Sequence, residues 1–224
     1  MCVLAFAWRA HPRWLWVLAG NRDEMHARAA EPLHRWPQEP DVLAGRDLQS
    51  GGTWLGVSEQ GRFAVVTNLS GDGPPQNGRP SCVDLVKDSL LGAGPYSDLS
   101  TADAAVFTPF NLIVADRERA TLWRNRPTVQ AQDLPAGVHG LSNGDADRPW
   151  PKTRQLMAAV TDWLGGTSSP HVLLDCLGEE LPPPGAAAMT ERGAKTGLFV
   201  RNGLYGTRCS TVAAVDADGR GLMI

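Results

Sequence analysis

Apolar residues come in short runs separated by glycine, proline and charged residues, and most runs are rich in β-branched and aromatic side chains. That pattern predicts strands more often than helices. Residues 3–8 (VLAFAW) and 14–20 (WLWVLAG) read as two strands joined by RAHPR, where Pro12 breaks the run. A dense polar cluster, Asn21-Arg22-Asp23-Glu24, follows the second strand. AEPLHRWPQEP reads as irregular and DVLAGRD as a short strand. GTWLGVSEQGRFAVVTNLS is a hairpin about the turn SEQG, ending in Thr67-Asn68, and GDGPPQNGRP is a loop. FNLIVAD and ATLWRN form a strand pair. GLFVRNG, YGTRCSTVAAVD and GRGLMI are further strands, the last two joined by the turn DADG.

Three segments carry helical signals instead. SCVDLVKDSLLG offers Ser81 as N-cap, Asp84 three residues on and Gly92 as terminator. PKTRQLMAAVTDWLGG starts at Pro151 and stops at a glycine pair. SPHVLLDCLG has Ser169 as cap, Pro170 at the first helical position and Gly178 at the end. Many antiparallel strands with few interspersed helices define an α+β class. The apolar strands are too numerous for one half-exposed sheet. Two sheets packed face to face with helices on the outsides, a four-layer αββα sandwich, is the expected architecture. Without an internal repeat, low-complexity tract or linker, a single domain over residues 1–224 is expected.

Composition narrows the function classes. A hydrophobic fraction of 42% and a charged fraction of 20% are those of an ordinary globular protein, and a formal net charge of −3 argues against a nucleic-acid partner. The first two apolar runs are short and interrupted by charge, and nothing approaches about 18 uninterrupted apolar residues. No membrane span and no export signal are expected, which predicts a cytoplasmic location. The four cysteines, Cys2, Cys82, Cys176 and Cys209, are scattered without a CxxC pair, a pattern of reduced thiols and not of a disulfide framework or zinc site.

The chemistry concentrates at the front of the chain. Cys2 admits two readings: a small apolar residue opening a strand, or the first residue of a chain from which Met1 has been removed. In the second, thiol and α-amine sit on adjacent carbons. An α-amine titrates at roughly 7.7–8.0, so near pH 7 a fraction is neutral and can act as general base for its own side chain. A neighbouring cation favours thiolate, and a carboxylate orients the amine. A strand–turn–strand fold-back sets Asn21-Arg22-Asp23-Glu24 beside Cys2. In an extended segment Asn21 and Asp23 share one face, and Arg22 and Glu24 the other. Arg22 and Asp23 are the preferred pair, with Glu24 as the substitute carboxylate and Asn21 as a further candidate. Asn68 and Asn143 are either oxyanion donors or, respectively, a strand end and a turn residue. Arg208, amid a small and apolar strand, organises either a site or an ion pair.

These motifs, in order, resemble the NRDE-motif proteins, also called the transport and Golgi organisation protein 2 family. The resemblance rests on MC, GNRDE, GGTWLGVSEQGRFAVVTN, FNLIVAD, GLSNG followed by PWPK, and YGTRCSTV, from residue 2 to about 216. It implies an N-terminal nucleophile hydrolase-like fold. By similarity to cholylglycine hydrolases and penicillin V acylases, Cys2 is the nucleophile, Arg22 and Asp23 its supporting pair, Asn68 and Asn143 oxyanion or amine contacts, and Arg208 a site-organising cation. Cys209 stands where many relatives carry serine, which implies a structural thiol. The implied reaction is hydrolysis of a small non-peptide amide or acyl compound, with no cofactor. The alternative implied by the family is a non-catalytic haem, lipid or acyl-CoA binding and trafficking protein.

Residue patterns add little to the haem alternative. His11, His26, His34, His139 and His171 are scattered, and no CxxCH occurs. The eight tryptophans suit a core as well as an apolar cleft. Asp145-Ala-Asp147 and Asp216-Ala-Asp218 sit in turn contexts without partner ligands, so no metal site is expected.

Overall fold

The computed structural model describes residues 3–70, 80–100, 102–190 and 192–224. In chain order the strands are β1 (Val3–His11), β2 (Trp14–Met25), β3 (Ala30–Arg35), β4 (Val42–Asp47), β5 (Leu55–Ser58), β6 (Phe63–Asn68), β7 (Phe110–Ala115), β8 (Ala120–Arg124), β9 (Gln130–Asp133), β10 (Gly137–Ser142), β11 (Tyr205–Asp216) and β12 (Gly221–Met223). The helices are α1 (Cys82–Leu91), α2 (Pro151–Leu164) and α3 (His171–Leu177). The chain divides into two compact units, Met1–Ala27 with Pro135–Ile224, and Arg28–Leu134, and each holds one antiparallel sheet.

In the first unit the sheet order is β10-β1-β2-β11-β12. The β1–β2 register runs from Val3 opposite Asn21 to Trp8 opposite Trp16 and closes at His11 opposite Trp14. A bulge between Trp8 and His11 contains Arg9 at φ 44°, a backbone conformation seldom adopted by a residue with a Cβ. Strand alternation puts Val3, Ala5, Ala7, Val17, Ala19, Val212 and Ala214 on one face. There they meet Leu156, Val160, Trp163 and Leu164 of α2 and Leu173 and Leu177 of α3 in one buried cluster. The α2 residues recur at helical spacing and so form a single stripe, and Pro151 starts the helix where its missing N–H is harmless. Phe6, on the opposite face of the sheet, packs its ring 6.3 Å from Trp8 and 6.2 Å from Trp16.

The second unit is a meander, β3 to β9 in sequence order, with α1 packed on its central strands. Gly56 permits this approach: a Cβ there would lie 2.7 Å from Leu90 Cδ1 and 2.9 Å from Ala44 Cβ. Gly92 ends α1 in the left-handed region at φ 63°, as its position predicts. Ser81 holds the N-cap position, yet its side chain makes no capping bond.

Several expectations change. β2 continues through Asn21–Glu24, so the polar cluster is part of the strand. The Pro-rich stretch expected to be irregular contains β3, an edge strand, where Pro32 removes no bond needed by an inner neighbour and the register slips between Glu31 and His34. GLFVRNG, expected as a strand, has no regular structure; its backbone bonds to Glu179 and Thr207 instead. β9 and β10 had no strand signal because QAQD and GVHGLS lack an apolar alternation. α3 begins at His171, with Pro170 at the N-cap position. The loop expected at GDGPPQNGRP lies, for residues 71–79, outside the described residues. No helix among the described residues is long and apolar enough to cross a membrane.

Leu156 is fully buried at the centre of the α2–sheet cluster. Leu156→Ala should lower unfolding free energy by about 2–5 kcal/mol, read as a fall in the urea midpoint at unchanged m-value.

Candidate functional site

Every polar residue of the Asn21–Glu24 segment inherits its direction from β2. Asn21 lies on the helix-facing side with Ala19. It is fully buried, and its Nδ2 donates to the carbonyls of Leu177 (2.9 Å) and Leu198 (2.8 Å). Asp23, two residues on, accepts a hydrogen bond from the Thr207 hydroxyl at 2.6 Å. Arg22, buried at 4% exposure, and the half-buried Glu24 share the other side, with Arg22 Nη2 3.8 Å from Glu24 Oε2. The alternation expected from the sequence therefore holds, and it separates Arg22 from Asp23. The cation pairs with Glu24, while Asp23 pairs across the sheet with β11.

β11 opposes this segment with one residue too many. Thr207 faces Asp23 and Cys209 faces Arg22, so Arg208 is the bulged residue between them. Its side chain is exposed, and Nη1 donates to the carbonyls of Met25 (3.1 Å) and His26 (2.9 Å). The oddity of an arginine in this strand is thus answered by a bulge that turns it toward the end of β2. Asn143 follows β10 immediately and is half-buried. Its neighbour Gly144 is held against the Trp150 indole, where a Cβ would come within 2.5 Å of Nε1. Asn68 is the last residue of β6, in the second unit. Cys2 lies outside the described residues; β1 begins one residue later, at Val3, opposite Asn21 on β2 and Ser142 on β10.

The cysteines among the described residues differ in chemistry from an activated nucleophile. Burial pushes the thiols of Cys82, Cys176 and Cys209 up, and a raised thiol is protonated and inert near neutral pH. Cys82 reaches about 11, with its Sγ 3.2 Å from Thr108 Oγ1. For Cys209 the nearby Arg22 works in the opposite direction to burial and does not overcome it.

Other sequence candidates have local duties. Each histidine makes a hydrogen bond close by: His11 with the Arg13 N–H, and His26, His34, His139 and His171 with Asn202 O, Pro32 O, Pro135 O and Ser169 Oγ. Asp145 and Asp216 accept from backbone N–H groups of their own turns. Two residues had no signal in the sequence. Lys152, in the first turn of α2, is buried with Nζ 3.0 Å from Thr196 Oγ1 and 5.8 Å from the Trp150 ring centroid. Thr207 is the other. A threonine in a strand is commonplace, and only the pairing across β2 reveals its carboxylate partner.

Two antiparallel sheets with a few helices make an α+β fold, and its likeness is to the N-terminal nucleophile hydrolase fold. Among solved structures, the Caenorhabditis elegans N-acylethanolamine-hydrolyzing acid amidase ortholog superposes with a TM-score of 0.58, covering 94% of this chain and 92% of its own at 11% identity. The model of the Transport and Golgi organisation 2 family matches residues 1–224, and the chain belongs to that family. It is 31% identical over 250 residues to the Transport and Golgi organization protein 2 homolog of Bos taurus, covering 98% of this chain and 90% of that one. The Mus musculus homolog is 30% identical over 251 residues with the same coverage.

Asn21→Ala leaves two buried carbonyls without their donor. It should lower stability by about 2–4 kcal/mol in urea titration, more than a surface Asn→Ala change. The Cys82 thiol gives a pH test. The native state holds this proton more tightly than the unfolded chain, so its contribution is complete below pH 9.0 and lost as pH rises toward about 11. Unfolding free energy should therefore fall more steeply over that window in the parent than in Cys82→Ala.

Proposed function

We propose that the chain is an amidohydrolase of the N-terminal nucleophile type, acting on a small non-peptide amide or acyl compound through Cys2 once Met1 has been removed. The observation that carries this reading is the opening of β1. Val3, which follows Cys2 in the sequence, stands between Asn21 on β2 and Ser142 on β10, the residues that directly precede Arg22 and Asn143. The raised thiols of Cys82, Cys176 and Cys209 support it, since they leave Cys2 as the nucleophile candidate. The fold likeness to a protein described as an amidase agrees with the reaction class.

In this mechanism the free α-amine takes the proton of the Cys2 thiol as sulfur attacks the substrate carbonyl. The tetrahedral oxyanion collects hydrogen bonds, with the Asn143 amide as a donor. Collapse transfers the proton to the departing amine and leaves a thioester on Cys2. Water, deprotonated by the same α-amine, then releases the acid and restores the thiol. Arg22 supplies positive potential that favours thiolate, and Asp23 orients the amine.

Intact mass should show the chain without Met1. A panel of p-nitroanilides of straight-chain acids and a β-lactam should reveal turnover that Cys2→Ala lowers on the order of 10³-fold or more. The rate should rise with pH through about 7–8 as the α-amine loses its proton. A retained Met1 would end this mechanism, because Cys2 would then have no free amine.

A further inference from the structure

Thr207 has no role in the mechanism above, yet its hydroxyl donates to Asp23. Three bonds fix it. The backbone N–H of Thr207 donates to Val200 O at 2.8 Å, and the Val200 N–H returns a bond to Thr207 Oγ1 at 2.9 Å. The hydroxyl then donates its proton to Asp23 Oδ1 at 2.6 Å, the short separation of a charge-assisted O–H···O⁻ bond. The incoming Val200 N–H occupies part of the oxygen's lone-pair side, so the proton is directed at the carboxylate. A β-branched side chain in a strand has restricted rotamers, which further fixes the hydroxyl.

The bulge supplies the register. Because Arg208 is the extra residue, Thr207 comes opposite Asp23 while Cys209 comes opposite Arg22. Without the bulge, Arg208 would stand opposite Asp23 and Thr207 would turn to the other face of the sheet. The Arg208 bonds to Met25 O and His26 O hold that extra residue at the end of β2. The arrangement lies on the helix-facing side, where Asn21 binds the carbonyl of Leu198, two residues before Val200. The segment 198–200 and the Asp23 carboxylate are therefore parts of one hydrogen-bonded assembly.

We infer that Thr207 is a positioning residue of the candidate site: its hydroxyl, braced by the Val200 N–H, fixes the orientation of the Asp23 carboxylate. The inference rests on the proposed role of Asp23 beside the Cys2 amine. It assigns Asp23 Oδ1 to Thr207 and links the carboxylate's orientation to residues 198–200. Loss of the hydroxyl removes a bond that orients the carboxylate and thereby weakens its hold on the amine. Serine keeps the bond; valine keeps the shape and loses it.

The test uses full-length protein freed of Met1, confirmed by intact mass, in four forms: parent, Thr207→Ser, Thr207→Val and Asp23→Asn. Alkylation of Cys2 by iodoacetamide is followed across pH 5–10 by mass of the N-terminal peptide, alongside p-nitroanilide turnover and melting temperature. Thr207→Val should slow Cys2 alkylation at pH 7 about tenfold, lower the plateau of its pH profile in the same direction as Asp23→Asn, and lower kcat more than it raises KM. Thr207→Ser should restore the parent profile to within about threefold. A Thr207→Val profile that superimposes on the parent, while Asp23→Asn is slowed, overturns the positioning role and leaves the hydrolase reading standing. If Asp23→Asn also matches the parent, the role of Asp23 falls and the inference with it. If Thr207→Val does not fold, Thr207→Ala is read in its place; failure of both to fold assigns the hydroxyl to folding and overturns the inference.

Discussion

Buried backbone polar groups need partners, and at the end of β2 the partners come from side chains. The carbonyls of Leu177 and Leu198 lie at the end of α3 and in an irregular stretch, where no ladder partner reaches them. Asn21 reaches both from the neighbouring strand. A single amide thereby ties α3 and the 198–200 segment to the sheet, and the Asp23–Thr207–Val200 chain repeats the tie two residues further along. Bonds of this kind contribute modestly when made and are expensive to lose when both carbonyls are buried. The shape of the region around the candidate site depends on them.

The same constraint divides the polar segment into two functions. Residues facing the helices carry structure as well as any chemistry, since Asn21 and Asp23 are committed to partners on that side. Arg22 and Glu24 face the other way, and a buried guanidinium needs the carboxylate beside it. Four adjacent polar residues thus form two pairs, made by the period of a strand and not by the order of the sequence.

Much of the fold was legible because its elements obey local rules. Pro151 and the glycine pair bound α2, Gly92 stops α1, and the SEQG hairpin joins two alternating strands. The failures share a cause. β10 is polar and glycine-rich but gains its ladder from β1, and β3 tolerates proline because it is an edge. GLFVRNG has strand composition but spends its backbone groups on Glu179, beyond the end of α3, and on Thr207. In each, a non-local partner outweighed local propensity. Of the candidate site, the alternation of Asn21 and Asp23 with Arg22 and Glu24 along β2 was readable.

Sequence alone determined the family, the strand-rich class and the concentration of titratable groups near the first strand, since these follow from residue identity, order and spacing. It also determined that Asn21 with Asp23, and Arg22 with Glu24, face opposite ways, because strand geometry has a period of two. Only the tertiary structure decided who answers each group. A bulge at Arg208 shifts β11 so that Thr207 meets Asp23 and Cys209 meets Arg22. Register between strands more than 180 residues apart in the chain is set by packing and by hydrogen bonds across the sheet. No local pattern carries that information.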